Sequence, residues 1–109
     1  MNLNVEKILI IGLGMIGSSI ALASKSKGIK VFGFDKSNNS IKEASEKNII
    51  DSSVDSIDDI DSSEFVKEID LIVIAVPPKQ TLEVLKSLKN IWNTNVTITD
   101  TSSVKNHIK

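Results

Sequence analysis

Lys7-Ile-Leu-Ile-Ile-Gly-Leu-Gly-Met-Ile-Gly17 decides the fold of this chain. Its apolar half reads as a buried strand, and the rest as a glycine-rich turn opening a helix. Gly12, Gly14 and Gly17 keep the G-x-G-x-x-G spacing and Asp35 follows about 20 residues later, which is the arrangement of a dinucleotide-binding fingerprint. Each glycine has a separate physical duty. Gly12 permits a tight turn at backbone angles closed to other residues. Gly14 lets the main chain approach a diphosphate, and Gly17 lets the helix lie close to the sheet. The main chain from Leu13 through Met15 and Ile16 then turns free N–H groups toward two phosphates, helped by the helix dipole. Glycine spacing alone also occurs in flavin and nucleoside sites and in purely structural turns. Here an upstream strand, a downstream apolar face, a second strand and an acid at its end agree, and they point to a nicotinamide dinucleotide.

Working outward, the whole chain of 109 residues reads as one domain, residues 1–109, large enough for a core and short for a two-domain enzyme. A formal net charge of −1 and scattered lysines argue against a nucleic-acid surface. Without cysteine there are no disulfides or thiolate metal sites, and one histidine among scattered acids lacks metal-ligand spacing. No apolar run approaches the roughly 18 residues of a membrane span. Met1–Glu6 lacks the basic-then-apolar pattern of a leader, so the expected compartment is the cytoplasm.

Apolar runs alternate with helical patterns, the signature of βαβ units and a parallel sheet. The expected elements are a strand over Glu6–Ile11, a helix over Met15–Lys27 and a strand over Lys30–Phe34. In that helix Ile16, Ile20 and Ala23 are expected to face the sheet, and Gly28 to cap its end. Asn38 or Asn39 is expected to cap a second helix reaching about Lys47, with Ile41 and Ala44 inward. Asn48–Ser63 reads as loop, with Ile49–Ile50 or Val54 marking a short third strand, and Glu64–Glu68 as a brief helix. Leu71–Val76 is wholly apolar, the pattern of a strand buried on both faces. Lys79–Leu88 reads as a helix with Leu82, Leu85 and Leu88 on one side, Val96–Thr99 as the fifth strand, and Thr101 as the start of a loop into a last helix. Right-handed crossovers then predict an α/β, doubly wound, Rossmann-type parallel sheet of order 3-2-1-4-5. Ligands in such sheets lie beyond the carboxyl ends of the strands, which gathers Gly12–Gly17, Asp35, Val76–Pro78 and Asp100–Ser103 around one crevice.

An acid at position 35 can accept hydrogen bonds from both hydroxyls of the adenosine ribose and would repel a 2′-phosphate, favouring NAD over NADP. Lys36 works the other way, since a cation there partly neutralises such a phosphate. Pro77 and Pro78, after Val76, end the ladder and stiffen the loop beneath the nicotinamide end. Thr101, Ser102 and Ser103 at the fifth strand's end are either hydroxyls for substrate and the nicotinamide amide or caps for the following helix. His107 invites a role as general base, but its place beyond the rim, near a chain end, suits a surface histidine. No nucleophile elbow of the G-x-S-x-G type is present.

Gly12–Gly17, Asp35, Ala75-Val-Pro-Pro78 and Asp100-Thr-Ser-Ser-Val-Lys105, in that order, make the chain resemble the prephenate dehydrogenases, arogenate-using relatives included. The likeness spans essentially the whole chain but only the family's cofactor domain, and Asp-x-x-Ser-Val-Lys is its most discriminating motif. The resemblance implies an NAD-dependent oxidative decarboxylation in tyrosine biosynthesis, in which prephenate loses hydride to NAD+ and CO2 to give 4-hydroxyphenylpyruvate. It places Ser103 near the nicotinamide and the substrate's ring hydroxyl, with Thr101 and Ser102 lining the same rim. The family's glycine before that serine is Ser102 here, and the family's catalytic His-Pro motif is absent; His107 does not match it. The resemblance further implies that the chain is a fragment, inactive alone, of a homodimer held together by a helical C-terminal domain. Two other readings stand beside it. One is the cofactor domain of a β-hydroxyacid dehydrogenase, whose Asp-x-Ser-Thr is close to Asp100–Ser103. The other is a non-catalytic NAD-sensing module.

Overall fold

The computed structural model describes residues 5–54, 56, 68–88 and 96–101. Their elements, in chain order, are β1 (Lys7–Ile11), α1 (Met15–Ser26), β2 (Lys30–Phe34), α2 (Asn38–Glu46), β3 (Ser52–Ser53), β4 (Leu71–Ile74), α3 (Pro78–Ser87) and β5 (Thr97–Asp100). The strands form one parallel sheet of order β3-β2-β1-β4-β5, as the crossover rule requires.

Strand alternation divides the core into two layers. Leu9 and Ile11 of β1 point to one face, where they meet Ile72, Ile74, Val84 and Leu88; Ile8 and Ile10 point to the other, against Ala21, Ala44 and Val73. Thus α1 and α2 cover one face and α3 the other. Ile72 and Ile74 are fully buried and Val73 nearly so, which is why this stretch carries no polar residue. Burying each such side chain contributes about 1.5–3 kcal/mol.

Several expected boundaries and faces are corrected. In α1 the buried residues are Gly17 and Ala21, with Ile20 packed at the margin, whereas Ile16 is 43% exposed and Ala23 faces solvent. The helix lies too close to the end of β1 for any side chain at position 17: a Cβ there would overlap the Gly12 carbonyl oxygen. In α3 the inward stripe is Thr81, Val84, Leu85 and Leu88, and Leu82 is 61% exposed. Residues 82, 85 and 88 drift around a 3.6-residue turn, while 81, 84, 85 and 88 hold one face.

Neither Asn38 nor Asn39 caps α2. Ser37 does, its Oγ accepting from the Ser40 N–H. The third strand is Ser52–Ser53, between the apolar residues expected to mark it; Ile50 and Val54 are buried on either side. β4 stops at Ile74 rather than Val76 because its neighbour β1 has already entered the glycine turn. β5 is displaced by one residue and ends at Asp100, and Thr101 is already helical. Of the helix expected over Glu64–Glu68, all but Glu68 lies outside the described residues.

Both early helices end in the same way. After α1, Ile29 N–H donates to Ser24 O and Gly28 N–H to Lys25 O; after α2, Ile49 N–H donates to Ala44 O and Asn48 N–H to Ser45 O. These are Schellman ends with a left-handed residue, Gly28 in one and Asn48 (φ 58°) in the other.

Candidate functional site

Register aligns the ends of four strands. Phe34 pairs with Ile11, Ile11 with Ile74, and Ile74 with Asp100, so the segments that follow them leave the sheet along one edge. On that edge lies a cleft of about 360 Å³ lined by Gly12, Gly14, Asp35, Lys36, Ser37, Ala75, Val76, Pro77, Gln80 and Val84, floored by Ile11 and Phe34.

The first wall is the turn from β1 to α1. Gly12 is buried with φ 102°, and its N–H donates to the Phe34 carbonyl at 2.7 Å. A Cβ on Gly12 would meet the Ala75 carbonyl oxygen at 2.7 Å, so both angle and space demand glycine. Gly14 is different. It is the N-cap of α1 with φ −77° and ψ −160°, ordinary extended backbone, and a Cβ there would meet nothing within 4 Å. Neither backbone strain nor crowding asks for glycine at position 14.

The first bond of α1 runs from Ser18 N–H to Gly14 O, so the N–H groups of Met15, Ile16 and Gly17 precede it. No side chain caps this end, and no acid stands in its first turn to offset the dipole. Met15 and Ile16 turn their side chains to solvent, 88% and 43% exposed. Leu13 is buried, and its N–H is taken by Asp35.

The second wall is the turn from β2 to α2. Asp35 accepts from Leu13 N–H through Oδ2 and from Ser37 N–H through Oδ1, both at 2.8 Å. A half-buried carboxylate is thereby held at the cleft's edge, beside the exposed Lys36. The third wall is apolar: Ala75 and Val76 after β4, then Pro77 at the N-cap of α3. Pro78 takes the first helical position, where a missing N–H costs no intrahelical bond. The two prolines therefore end one element and begin the next.

Of the residues singled out from sequence, Gly12, Gly14, Asp35, Lys36, Val76 and Pro77 meet at this cleft. Leu13, Met15, Ile16 and Gly17 are not among its lining residues, the last three opening α1 directly after Gly14, and Thr101 follows β5 along the same sheet edge. Ser102, Ser103 and His107 lie outside the described residues. Gln80 and Val84 were not anticipated. They sit four apart on α3, and the available signal was their spacing from Pro77 on one helix face. Asp35 and Lys36 are the ionisable side chains lining the cleft among the described residues. Among those residues no three His, Cys, Asp or Glu side chains cluster to hold a metal, and no helix is long and apolar enough to cross a membrane.

Known proteins share this arrangement. A family model described as prephenate dehydrogenase, nucleotide-binding domain, matches residues 20–109, downstream of the glycine turn. A prephenate dehydrogenase of Lactococcus lactis subsp. cremoris is 39% identical over 106 residues, covering 94% of this chain and 28% of that protein. One of Bacillus subtilis is 36% identical over 111 residues, covering 99% of this chain and 29% of that protein. Among solved structures, prephenate dehydrogenase from A. aeolicus, in complex with hydroxyphenyl propionate and NAD+, superposes with a TM-score of 0.78 at 29% identity, over 92% of this chain and 34% of that one. The chain therefore spans about 28–34% of the length of these three proteins.

Proposed function

This chain belongs to the prephenate dehydrogenase family, matching its nucleotide-binding domain, and from that premise we propose that its cleft binds NAD+ for the oxidation of prephenate or arogenate. The observation that carries the reading is Gly14. Its backbone is unstrained and the space beside it is open, so neither strain nor crowding calls for glycine there. It has a use to a ligand that lies against the main chain at the start of a helix.

The N–H groups of Gly14, Met15 and Ile16 would meet the diphosphate. Asp35 would accept from the ribose hydroxyls, and its negative charge would disfavour a 2′-phosphate, with Lys36 moderating that preference. The apolar faces of Val76, Pro77 and Val84 suit flat rings. When bound, NAD+ supplies the hydride acceptor. Val76 and the Pro77–Pro78 turn would limit where its nicotinamide end can lie, and the hydroxyls of Thr101, Ser102 and Ser103, next in sequence after β5, are assigned the task of orienting the substrate. Residues 1–109 act in this reading as the cofactor domain of a longer cytoplasmic enzyme that is homodimeric through a further domain. The family match favours it over a β-hydroxyacid dehydrogenase or an NAD-sensing module.

Calorimetric titration of the chain with NAD+ and NADP+ tests the cofactor. NAD+ is expected to bind at least about tenfold more tightly, a difference of roughly 1.4 kcal/mol. Equal affinities, or a flat trace with both, would overturn the proposal.

A further inference from the structure

Leu13 sits between Gly12 and Gly14, yet its N–H is already engaged within the fold. It donates to Asp35 Oδ2 across 22 positions of sequence, at 2.8 Å. The other oxygen of the same carboxylate accepts from Ser37 N–H, also at 2.8 Å. One side chain thus joins the turn after β1 to the turn after β2. A carboxylate offers about four acceptor positions, so two backbone N–H groups leave about two for sugar hydroxyls.

We propose that Asp35 is a positioning residue for the diphosphate-binding turn as well as a partner for the ribose, so that both halves of the nucleotide are read through one carboxylate. The proposal rests on the dinucleotide reading above and adds a coupling to it. The bond to Leu13 fixes the residue just ahead of Gly14, and so fixes the direction of the N–H groups that follow. Anything that draws the carboxylate away from Leu13 loosens those donors at the same time. A 2′-phosphate pressed against Asp35 would do so. Discrimination against it then includes a weakened hold on the diphosphate, beyond simple repulsion.

The test compares adenosine 5′-diphosphate with its 2′,3′-dideoxy analogue, which has no hydroxyl for Asp35 to bind. Affinities are read by NMR titration of the native chain and of the Asp35→Ala and Asp35→Asn variants; dispersed spectra establish that each variant is folded. Losing a charge-assisted hydrogen bond that orders the turn should weaken the dideoxy ligand by about tenfold in Asp35→Ala. Asp35→Asn keeps one acceptor and should lose about half that factor on a logarithmic scale. Exchange of the Leu13 amide proton should accelerate in both variants without ligand, which a role confined to the sugar would not produce. Affinity for the dideoxy ligand within about twofold of native in Asp35→Ala would overturn the coupling, because Asp35 would then act on the sugar alone. Failure of the native chain to bind either nucleotide is a separate result: it needs no variant, and it overturns the dinucleotide reading together with the coupling.

Discussion

Gly14→Ala separates the needs of the fold from those of the ligand. In the folded chain the added methyl enters open space, and φ −77° with ψ −160° suits alanine as well as glycine. Alanine is the poorer N-cap, which costs about 0.5–1 kcal/mol. Against that, replacing glycine reduces the freedom of the unfolded chain and returns about 0.4–1 kcal/mol. The two nearly cancel, so the melting temperature should stay within about 4 °C of native, given that 1 kcal/mol moves a domain of this size by roughly 4–8 °C. Binding is another matter. A methyl group placed where the diphosphate lies against the backbone imposes an overpacking cost of about 1–3 kcal/mol, or about 5- to 150-fold in Kd. Paired thermal melts and NAD+ titrations measure both quantities on one preparation. If NAD+ binds the variant as tightly as the native chain, the open space beside Gly14 is not where the diphosphate lies. A large loss of stability without ligand would show that the fold needs this glycine after all.

Gly17→Ala makes the opposite contrast. Alanine favours the helix by about 1 kcal/mol, but the methyl collides with the Gly12 carbonyl and lies 3.3 Å from Ile10 Cγ2. The helix must shift outward, and a melting temperature lowered by several degrees is expected; one unchanged or raised would refute the close approach of α1 to β1. Ser37→Ala removes the cap of α2, whose bond to Ser40 N–H is a long 3.3 Å. The expected loss is about 0.5–1 kcal/mol, read from denaturant midpoints with the slope unchanged.

The sheet was legible because Ile8–Ile11 and Leu71–Val76 are continuous apolar runs, stopped by Gly12 and Pro77, and handedness leaves little choice of order. Helix faces were harder. Hydrophobicity alone assigned Ile16 inward, whereas contact with the sheet is set by how closely the backbones approach, and that selects Gly17 and Ala21. β3 was hard for a related reason. Its two residues are serines held in the ladder between Ile50 and Val54, so the apolar signal flanks the strand instead of filling it. At the site, the glycines and Asp35 were readable from spacing, since each meets a geometric demand at a fixed offset. The use of Leu13 N–H by Asp35 was not, because a bond across 22 positions has no local signature. Gln80 left only a weak signal, its spacing of three from Pro77 on one face of α3.

The glycine turn is anchored where it leaves the sheet: Gly12 N–H donates to Phe34 O of β2, and Ile11 O just before it accepts from Ala75 N–H, each at 2.7 Å, while Asp35 holds Leu13 N–H. Its conformational entropy is therefore surrendered during folding, before any nucleotide arrives. Association should resemble the docking of two rigid bodies, with little dependence on slow rearrangement. Substitutions around the turn should then change how long a nucleotide stays far more than how quickly it arrives.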